Sequence, residues 1–225
     1  MTWLAARAAT STGIPQLVLA AHRSWVRLMR KPASVSAVVE REFGVWATET
    51  YQAARDLIGA GVCRDAVTLN RRYPASDDRF VRIRFRDASS CSDVGWTVIA
   101  PMQMHEHSYF GDLRVGVIVD AFSRAGQESA VLAGGVSVLA EHDVDLVFAN
   151  WSSARWLNAA TTVGFRVGPT NYFAFAAPTA HPLLTDVPIT DMHLTRGDSD
   201  GMVHLKGTPV GCRPSGAGAS ERRPR

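Results

Sequence analysis

The stretch from Leu113 to Phe165 constrains the fold of this 225-residue chain more than any other. Its first ten residues, 113–122, are rich in β-branched side chains, which predicts a largely buried strand. A polar loop at 123–129 then leads into a helix that ends near His142. This helix carries an apolar stripe with i, i+3, i+4, i+7 spacing, made of Leu132, Gly135, Val136 and Leu139. The glycine on that stripe, Gly135, predicts a close approach between the helix and a sheet.

The second half of the stretch repeats this alternation of strand and helix. Residues 145–150 are a short apolar run, typical of a parallel strand that is covered on both faces. Ser152 or Ser153 can cap the next helix, and Gly164 supplies its left-handed C-terminal stop. Two strands joined by one crossover helix form a right-handed βαβ unit. We expect its ligand at the carboxyl ends of the strands, near the N terminus of the first helix.

Two further strands precede this unit. Residues 79–87 alternate apolar side chains with arginines, which predicts a half-buried antiparallel strand, and residues 95–100 return as its partner. The arginine row of Arg82, Arg84 and Arg86 is interpreted as a solvated outer face, with a phosphate-binding face as the alternative. The predicted fold class is therefore α/β (α+β), with antiparallel N-terminal strands and a parallel βαβ pair in one mixed central sheet flanked by helices.

The two ends of the chain differ from its centre. Residues 16–30 predict a basic amphipathic helix, which either docks on its own domain or lies on an acidic membrane surface. We expect four parts in the chain: an N-terminal helical arm at 1–60, a central domain at 61–180, a C-terminal extension at 181–206 and a disordered tail at 207–225.

Composition limits the classes of function. An apolar content of 46% is enough for a core. The net charge is only +3, and much of the positive excess lies at the two ends, so no nucleic-acid partner is predicted. Three widely spaced cysteines favour a reducing compartment. Because no apolar run reaches the roughly 20 residues that cross a bilayer, we predict a cytoplasmic location.

Over roughly residues 65–177 the order of elements resembles the C-terminal half of the GNAT superfamily of N-acyltransferases. At the first family signature the chain has Val119, Ala121 and Arg124 at the family's spacing, with alanine where the family has proline. Gln127 stands where a glycine is usual, and Ala160 stands where the family's last helix carries a tyrosine. Residues 64–74 and 192–198 further resemble a bacterial subgroup in which a degenerate module follows a more typical one.

The resemblance implies transfer of an acyl group, in the first instance acetyl, from acetyl-CoA or another acyl-CoA to an unknown amine acceptor. It implies that His107 or Asp120 takes the proton of the amine, and that Tyr172 protonates the departing thiolate. The implied cofactor contacts are the pyrophosphate loop at Arg124, Ala125, Gly126, Gln127 and Ser129, the pantetheine strand at Ile118, Val119 and Asp120, and Asn150. The alternative is a catalytically inactive GNAT-like module with a structural or partner-binding role, which the altered loop and Ala160 favour.

A second motif, His105 and His107, precedes the central strand. Two histidines on one face of an extended segment can bind a metal or relay protons. No third ligand stands at a motif spacing, so no metal site is predicted. The residues do not determine the oligomeric state.

Overall fold

The structure, a computed structural model, describes residues 35–168, 179, 181–199 and 207–210. The strands are β1 (Val35–Glu40), β2 (Ala60–Gly61), β3 (Val81–Asp87), β4 (Asp93–Met104), β5 (Arg114–Ser123), β6 (Leu146–Ala149), β7 (Met192–His193) and β8 (Gly207–Pro209). The helices are α1 (Val45–Gln52), α2 (Ala66–Arg72), α3 (Glu128–Glu141), α4 (Ala154–Val163) and α5 (His181–Leu184). Short 3-10 turns lie at Arg55–Leu57, Ile189–Asp191 and Arg196–Asp198.

In this described part of the chain, one main sheet has the strand order β1-β3-β4-β5-β6, and β8 also pairs with β4. The pairs from β1 to β5 are antiparallel, and β5 pairs with β6 in parallel. The short strands β2 and β7 form a separate parallel pair. The predicted fold class, a mixed central sheet with antiparallel N-terminal strands and a parallel βαβ pair flanked by helices, is therefore confirmed.

Apolar side chains fill both faces of the sheet, in two clusters. One cluster joins α1 and α2 to the sheet and contains Phe43, Trp46, Leu69, Tyr73 and Trp96. The other joins α3 and α4 to the opposite face and contains Ile83, Phe85, Ile118, Leu132 and Trp156. This layering follows from strands whose side chains are apolar on both sides, and it leaves β5 buried in the centre.

The close approach of α3 to the sheet occurs one residue earlier than predicted. A Cβ atom added to Gly134 would lie 2.4 Å from Cε1 of Phe85, whereas one added to Gly135 would lie 3.4 Å from Thr97. The tightest contact therefore lies over the aromatic ring of β3, and Gly135 has room for a methyl group.

The prediction of a solvated arginine row on β3 is wrong for Arg82 and Arg84, whereas the side chain of Arg86 is 39% exposed. Arg82 is only 5% exposed, and its guanidinium donates to the main-chain carbonyls of Tyr73 and Phe80, at 2.9 and 3.1 Å. Arg84 lies over the ring of Trp46, 4.9 Å from its centroid, and pairs with Asp93. These side chains are covered because α1 and the segment after α2 pack on that face.

Two of the predicted flanking parts contribute residues to the main sheet. Residues 35–52, assigned to an N-terminal arm, belong to the sheet domain, because β1 pairs with β3 along its length and α1 packs on the sheet. Within the predicted disordered tail, residues 207–209 pair with β4. The amphipathic segment 16–30 lies outside the described residues. No helix among the described residues has the length and apolar character needed to cross a bilayer.

Candidate functional site

The parallel strands β5 and β6 diverge at their carboxyl ends. The register of β4 against β5 shifts by one residue at Val119, and a β-bulge of this kind bends the strand that carries it. Pairing between β5 and β6 extends only to Ile118, opposite Ala149. We call the space between residues 119–123 of β5 and residues 150–152 the wedge. It lies at the strand ends where the sequence predicts a ligand.

Residues 192–198, here called the wedge segment, fill this space. The carbonyl of Leu194 accepts from the amide of Ser152 at 3.0 Å, and the amide of Leu194 donates to Ser152 Oγ at 2.9 Å. On the other side, Nε2 of His193 lies 3.0 Å from the carbonyl oxygen of Ala121. A Cβ atom on Gly197 would lie 3.4 Å from the carbonyl oxygen of Val119. Residues 196–198 therefore lie close to the part of β5 that the resemblance assigns to pantetheine.

A buried charge cluster anchors the wedge segment. Arg64 donates from Nε to Asp120 at 3.1 Å and from Nη2 to Asp198 at 2.5 Å. The side chains of Arg64 and Asp120 are 0% exposed. Arg72 forms a second ion pair with Asp198, so two guanidinium groups balance two carboxylates in the interior. The cluster ties the residues before α2, strand β5 and the wedge segment together.

The protonation states of this cluster follow from burial and from its neighbours. Burial raises the pKa of Asp120, although Arg64 opposes the shift. Burial acts in the same direction on Asp198, but Arg64 and the amide of Thr195 outweigh it and lower the pKa of that carboxyl. Burial, with the charge of Arg64, lowers the pKa of His193 to about 3. The imidazole is therefore neutral at pH 7.

Asp120, a predicted general base, lies at the base of the wedge with its oxygens already bonded. Oδ1 accepts from Arg64 and from the amide of Ala121 at 2.9 Å. Oδ2 accepts from the hydroxyl of Tyr73 at 3.0 Å. Burial and the adjacent Asp120 raise the pKa of Tyr73 well above its usual value, so this hydroxyl stays a donor.

His107, the other predicted base, lies beyond the opposite end of β5. Its backbone pairs with Gly111, and Nδ1 accepts from the amides of Tyr109 and Phe110 at 3.1 and 3.3 Å. Six residue-to-residue steps along the strand separate Arg114 from Asp120, a distance of about 20 Å. The structure does not bring the two predicted bases together.

Tyr172, the predicted acid, lies outside the described residues. Within the described ranges, no three potential metal ligands cluster around His105 and His107.

The predicted pyrophosphate loop forms a turn between β5 and α3. The amide and Nε of Arg124 donate to the carbonyls of Val94 and Asp93, at 2.9 and 2.7 Å. Ala125 is exposed. Gly126 is also exposed and has a φ of +76°, a left-handed conformation that suits glycine. Gly126 therefore allows the chain to turn here. In the family signature the glycine stands one residue later, at the position of Gln127.

An acidic residue begins the helix after this loop. Gln127 is the N-cap of α3 without a side-chain capping bond, Ser129 is partly buried, and Glu128 is 8% exposed. The carboxylate of Glu128 forms an ion pair with Arg155 of α4. A carboxylate in the first turn already interacts with the positive end of the helix dipole. It would also repel a pyrophosphate.

Asn150, the remaining predicted cofactor contact, bonds to another side chain of the protein and does not line an open pocket. Oδ1 of Asn150 accepts from Nη1 of Arg196 at 3.0 Å, which adds a bond between the wedge wall and the wedge segment. Ser153 is the N-cap of α4, as predicted, but makes no side-chain capping bond. Ser152 instead donates from Oγ to the carbonyl of Met192 at 2.6 Å. The prediction that Gly164 ends α4 in the left-handed conformation is confirmed by its φ of 105°.

No protein-family model matches the sequence, and the search of curated proteins also finds no match. Among solved structures, the chain is similar to an aminoglycoside acetyltransferase from an uncultured soil metagenomic sample, with a TM-score of 0.45, 10% identity and coverage of 64% of this chain and 97% of that chain. It is also similar to an aminoglycoside 6'-N-acetyltransferase from Acinetobacter baumannii, with a TM-score of 0.42, 10% identity and coverage of 64% and 99%. A third is glucosamine-6-phosphate N-acetyltransferase from Arabidopsis thaliana, with a TM-score of 0.43, 10% identity and coverage of 62% and 98%. The fold class itself follows from the strand order and pairing described above.

Proposed function

We propose that this chain is a GNAT-like module with a structural or partner-binding role, whose wedge is closed by its own C-terminal residues. One observation carries the proposal. The wedge segment fills the space between the diverging strands and is anchored through Asp198 to the buried Arg64. A closed wedge leaves the β5 backbone no room for a pantetheine arm.

The cost of opening supports this proposal. Moving the wedge segment away would take one of its two carboxylate partners from Arg64, and such a loss costs about 3–5 kcal/mol when the remaining charge stays buried. When only the open form of a protein binds a ligand, the apparent affinity for that ligand equals the intrinsic affinity multiplied by the fraction of molecules in the open form. The cost therefore weakens binding by about two to three and a half orders of magnitude. An intrinsically micromolar acyl-CoA site would become about millimolar.

A second candidate is an N-acyltransferase that works when the wedge segment leaves. The bulge at Val119 and the Asp120–Tyr73 pair directly beneath the segment favour it. In this state the amine would attack the thioester carbonyl of an acyl-CoA, Asp120 would accept the proton of the amine, and Tyr73 would protonate the departing thiolate. The amine acceptor, the use of acetyl-CoA and the cytoplasmic location stay predictions.

Thermal unfolding of the full chain with acetyl-CoA tests the closed-wedge proposal. A specific ligand at 100 times its Kd adds about 2.7 kcal/mol of stability, which corresponds to about 5–10 °C in Tm for a chain of this size. We expect no shift for the wild type at millimolar acetyl-CoA. A saturable shift in the wild type would contradict a closed wedge.

The variant Asp198→Asn separates the two candidates, since it removes one charge from the anchor of the wedge segment. Asp56→Asn is the matched control, because that side chain is 90% exposed. If Asp198→Asn keeps its circular dichroism spectrum and gains an acetyl-CoA shift that the control lacks, the second candidate is supported. Should neither variant respond, the structural or partner-binding role stands.

A further inference from the structure

Strand β1 forms one edge of the main sheet in the described part of the chain, at the opposite end of the strand order from β6 and the wedge. It pairs with β3 along its whole length without a register shift, so this edge is regular. Proteins usually protect an edge strand with a bulge, a proline or a charged side chain. Residues 35–39 have none of these. A regular, uncharged edge strand can pair with a further strand.

The side chains of β1 are exposed and largely apolar. Ser36 and Ala37 are exposed, and Val38 and Val39 are 38% and 55% exposed. Successive side chains of a strand point to opposite faces of the sheet, so the two valines lie on different faces. A strand added at this edge would therefore cover apolar surface on both faces of the sheet.

The charges beside this edge favour a second copy of the chain over a strongly charged partner. Arg84 and Arg86 of β3 face the carboxylates of Glu40 and Asp93. Positive and negative groups are equal in number here, so neither a basic nor an acidic partner is selected. A second copy carries the same balanced set, and two-fold symmetry can place unlike charges opposite each other.

Arg86 has the weakest contacts among these charged groups. Arg84 donates to both carboxylate oxygens of Asp93, at 2.6 and 2.8 Å. Arg86 reaches only to 3.6 Å from the same carboxylate, and its side chain is 39% exposed. Within the described ranges, its buried Nε has no hydrogen-bond partner. Arg86 can therefore accept a further carboxylate as a neighbour.

We propose that two copies of this chain associate through β1, as antiparallel strands related by a two-fold axis normal to the sheet. Such an axis maps each face of the sheet onto itself, so residues that lie opposite each other must share a face. An axis at Val38 places this residue opposite its own copy. The same register places Ala37 opposite Val39 of the second copy, so apolar side chains meet on both faces.

This register also brings an unlike charge to Arg86. Ser36 is the partner of Arg86 within one copy, and Glu40 of the second copy would lie on the other side of Ser36. Neighbouring strands are about 4.8 Å apart, so the Cα atoms of Arg86 and of that Glu40 are about 10 Å apart. Extended arginine and glutamate side chains together span this distance, and by symmetry the contact forms twice. Because this edge lies away from the wedge, the association does not depend on whether the wedge is closed.

Sedimentation velocity of the full chain, from micromolar to millimolar concentration, tests the association. We expect a reversible equilibrium of monomer and dimer for the wild type. Val38→Lys places two ammonium groups at the two-fold axis, so it should raise the dissociation constant at least about tenfold. Val167→Lys is the matched control, since that side chain is 76% exposed and follows α4; it should leave the constant unchanged. A wild type that stays monomeric, or equal constants for the two variants, would overturn the proposal.

Two charge variants test the register. Glu40→Lys and Arg86→Glu each place like charges opposite each other at both ends of the dimer, so each alone should weaken the dimer at least about tenfold. An equimolar mixture of the two variants can form a heterodimer with unlike charges at both ends. We expect this mixture to dimerise more tightly than either variant alone, with each variant retaining the wild-type circular dichroism spectrum. A mixture that dimerises no better than its components would contradict the proposed pairing.

Discussion

Replacing Arg64 with methionine should lower the free energy of unfolding by about 3–5 kcal/mol. Methionine can fill much of the same volume, but it leaves the carboxylates of Asp120 and Asp198 in the interior without their shared cation. This penalty exceeds the range of about 0.5 kcal/mol expected for most surface substitutions. Urea unfolding at pH 7 measures it, provided that the slope against urea concentration stays unchanged.

Arg55→Met is the control for this prediction, because that arginine is 62% exposed and pairs with an exposed aspartate. Its effect should stay below about 1 kcal/mol, as for other surface ion pairs. The double variant Arg64→Met with Asp120→Asn should recover part of the loss, since it removes the carboxylate that Arg64→Met leaves without a bonded cation, whereas Asp198 keeps its ion pair with Arg72. A loss below 1 kcal/mol for Arg64→Met would mean that the cluster is solvated and the wedge segment is loosely held.

Acidification should destabilise the wild type through His193. The folded-state pKa of this histidine is lowered to about 3, from an unfolded value near 6.5. Its contribution to stability is therefore complete above pH 6.5 and is lost as the pH falls from 6.5 toward 3. The loss approaches about 1.4 kcal/mol per pH unit, or about 2 kcal/mol between pH 8 and pH 5.

The variant His193→Gln isolates this contribution. Glutamine can still donate to the carbonyl of Ala121 but does not titrate. Asp120, whose pKa is raised by burial, contributes to the pH dependence with the opposite sign, and it does so in both proteins. The difference between the two stability profiles should therefore change by about 2 kcal/mol from pH 8 to pH 5. Parallel profiles over that range would show that His193 is solvated, and the packing of the wedge segment would be wrong.

The centre of the fold could be predicted from sequence because its signals are local. The spacing of apolar residues fixes β5, α3, β6 and α4 to within a few residues, and Gly164 marks the end of α4. The arginine row could not be interpreted in the same way. Alternation describes only the strand itself, and the cover over Arg82 and Arg84 comes from α1 and the segment after α2.

The candidate site was only partly predictable. The wedge position and Asp120 follow from the βαβ pattern, but the partners of Asp120 do not. Arg64 and Asp198 are separated by 134 residues, and no periodic pattern connects them. The resemblance of residues 64–74 and 192–198 to one bacterial subgroup was the available signal. The structure gives these two segments a common physical role, since together they close the wedge.

Amide hydrogen exchange at Leu194 and Ser152 in the wild type measures most directly whether the wedge is closed. The amide of Leu194 donates to Ser152 Oγ, and the amide of Ser152 donates to the carbonyl of Leu194. We expect both amides to exchange as slowly as those of the buried strand β5, with no change when millimolar acetyl-CoA is added. Exchange at the rate of an unstructured peptide, or protection that appears only with acetyl-CoA, would contradict the closed wedge.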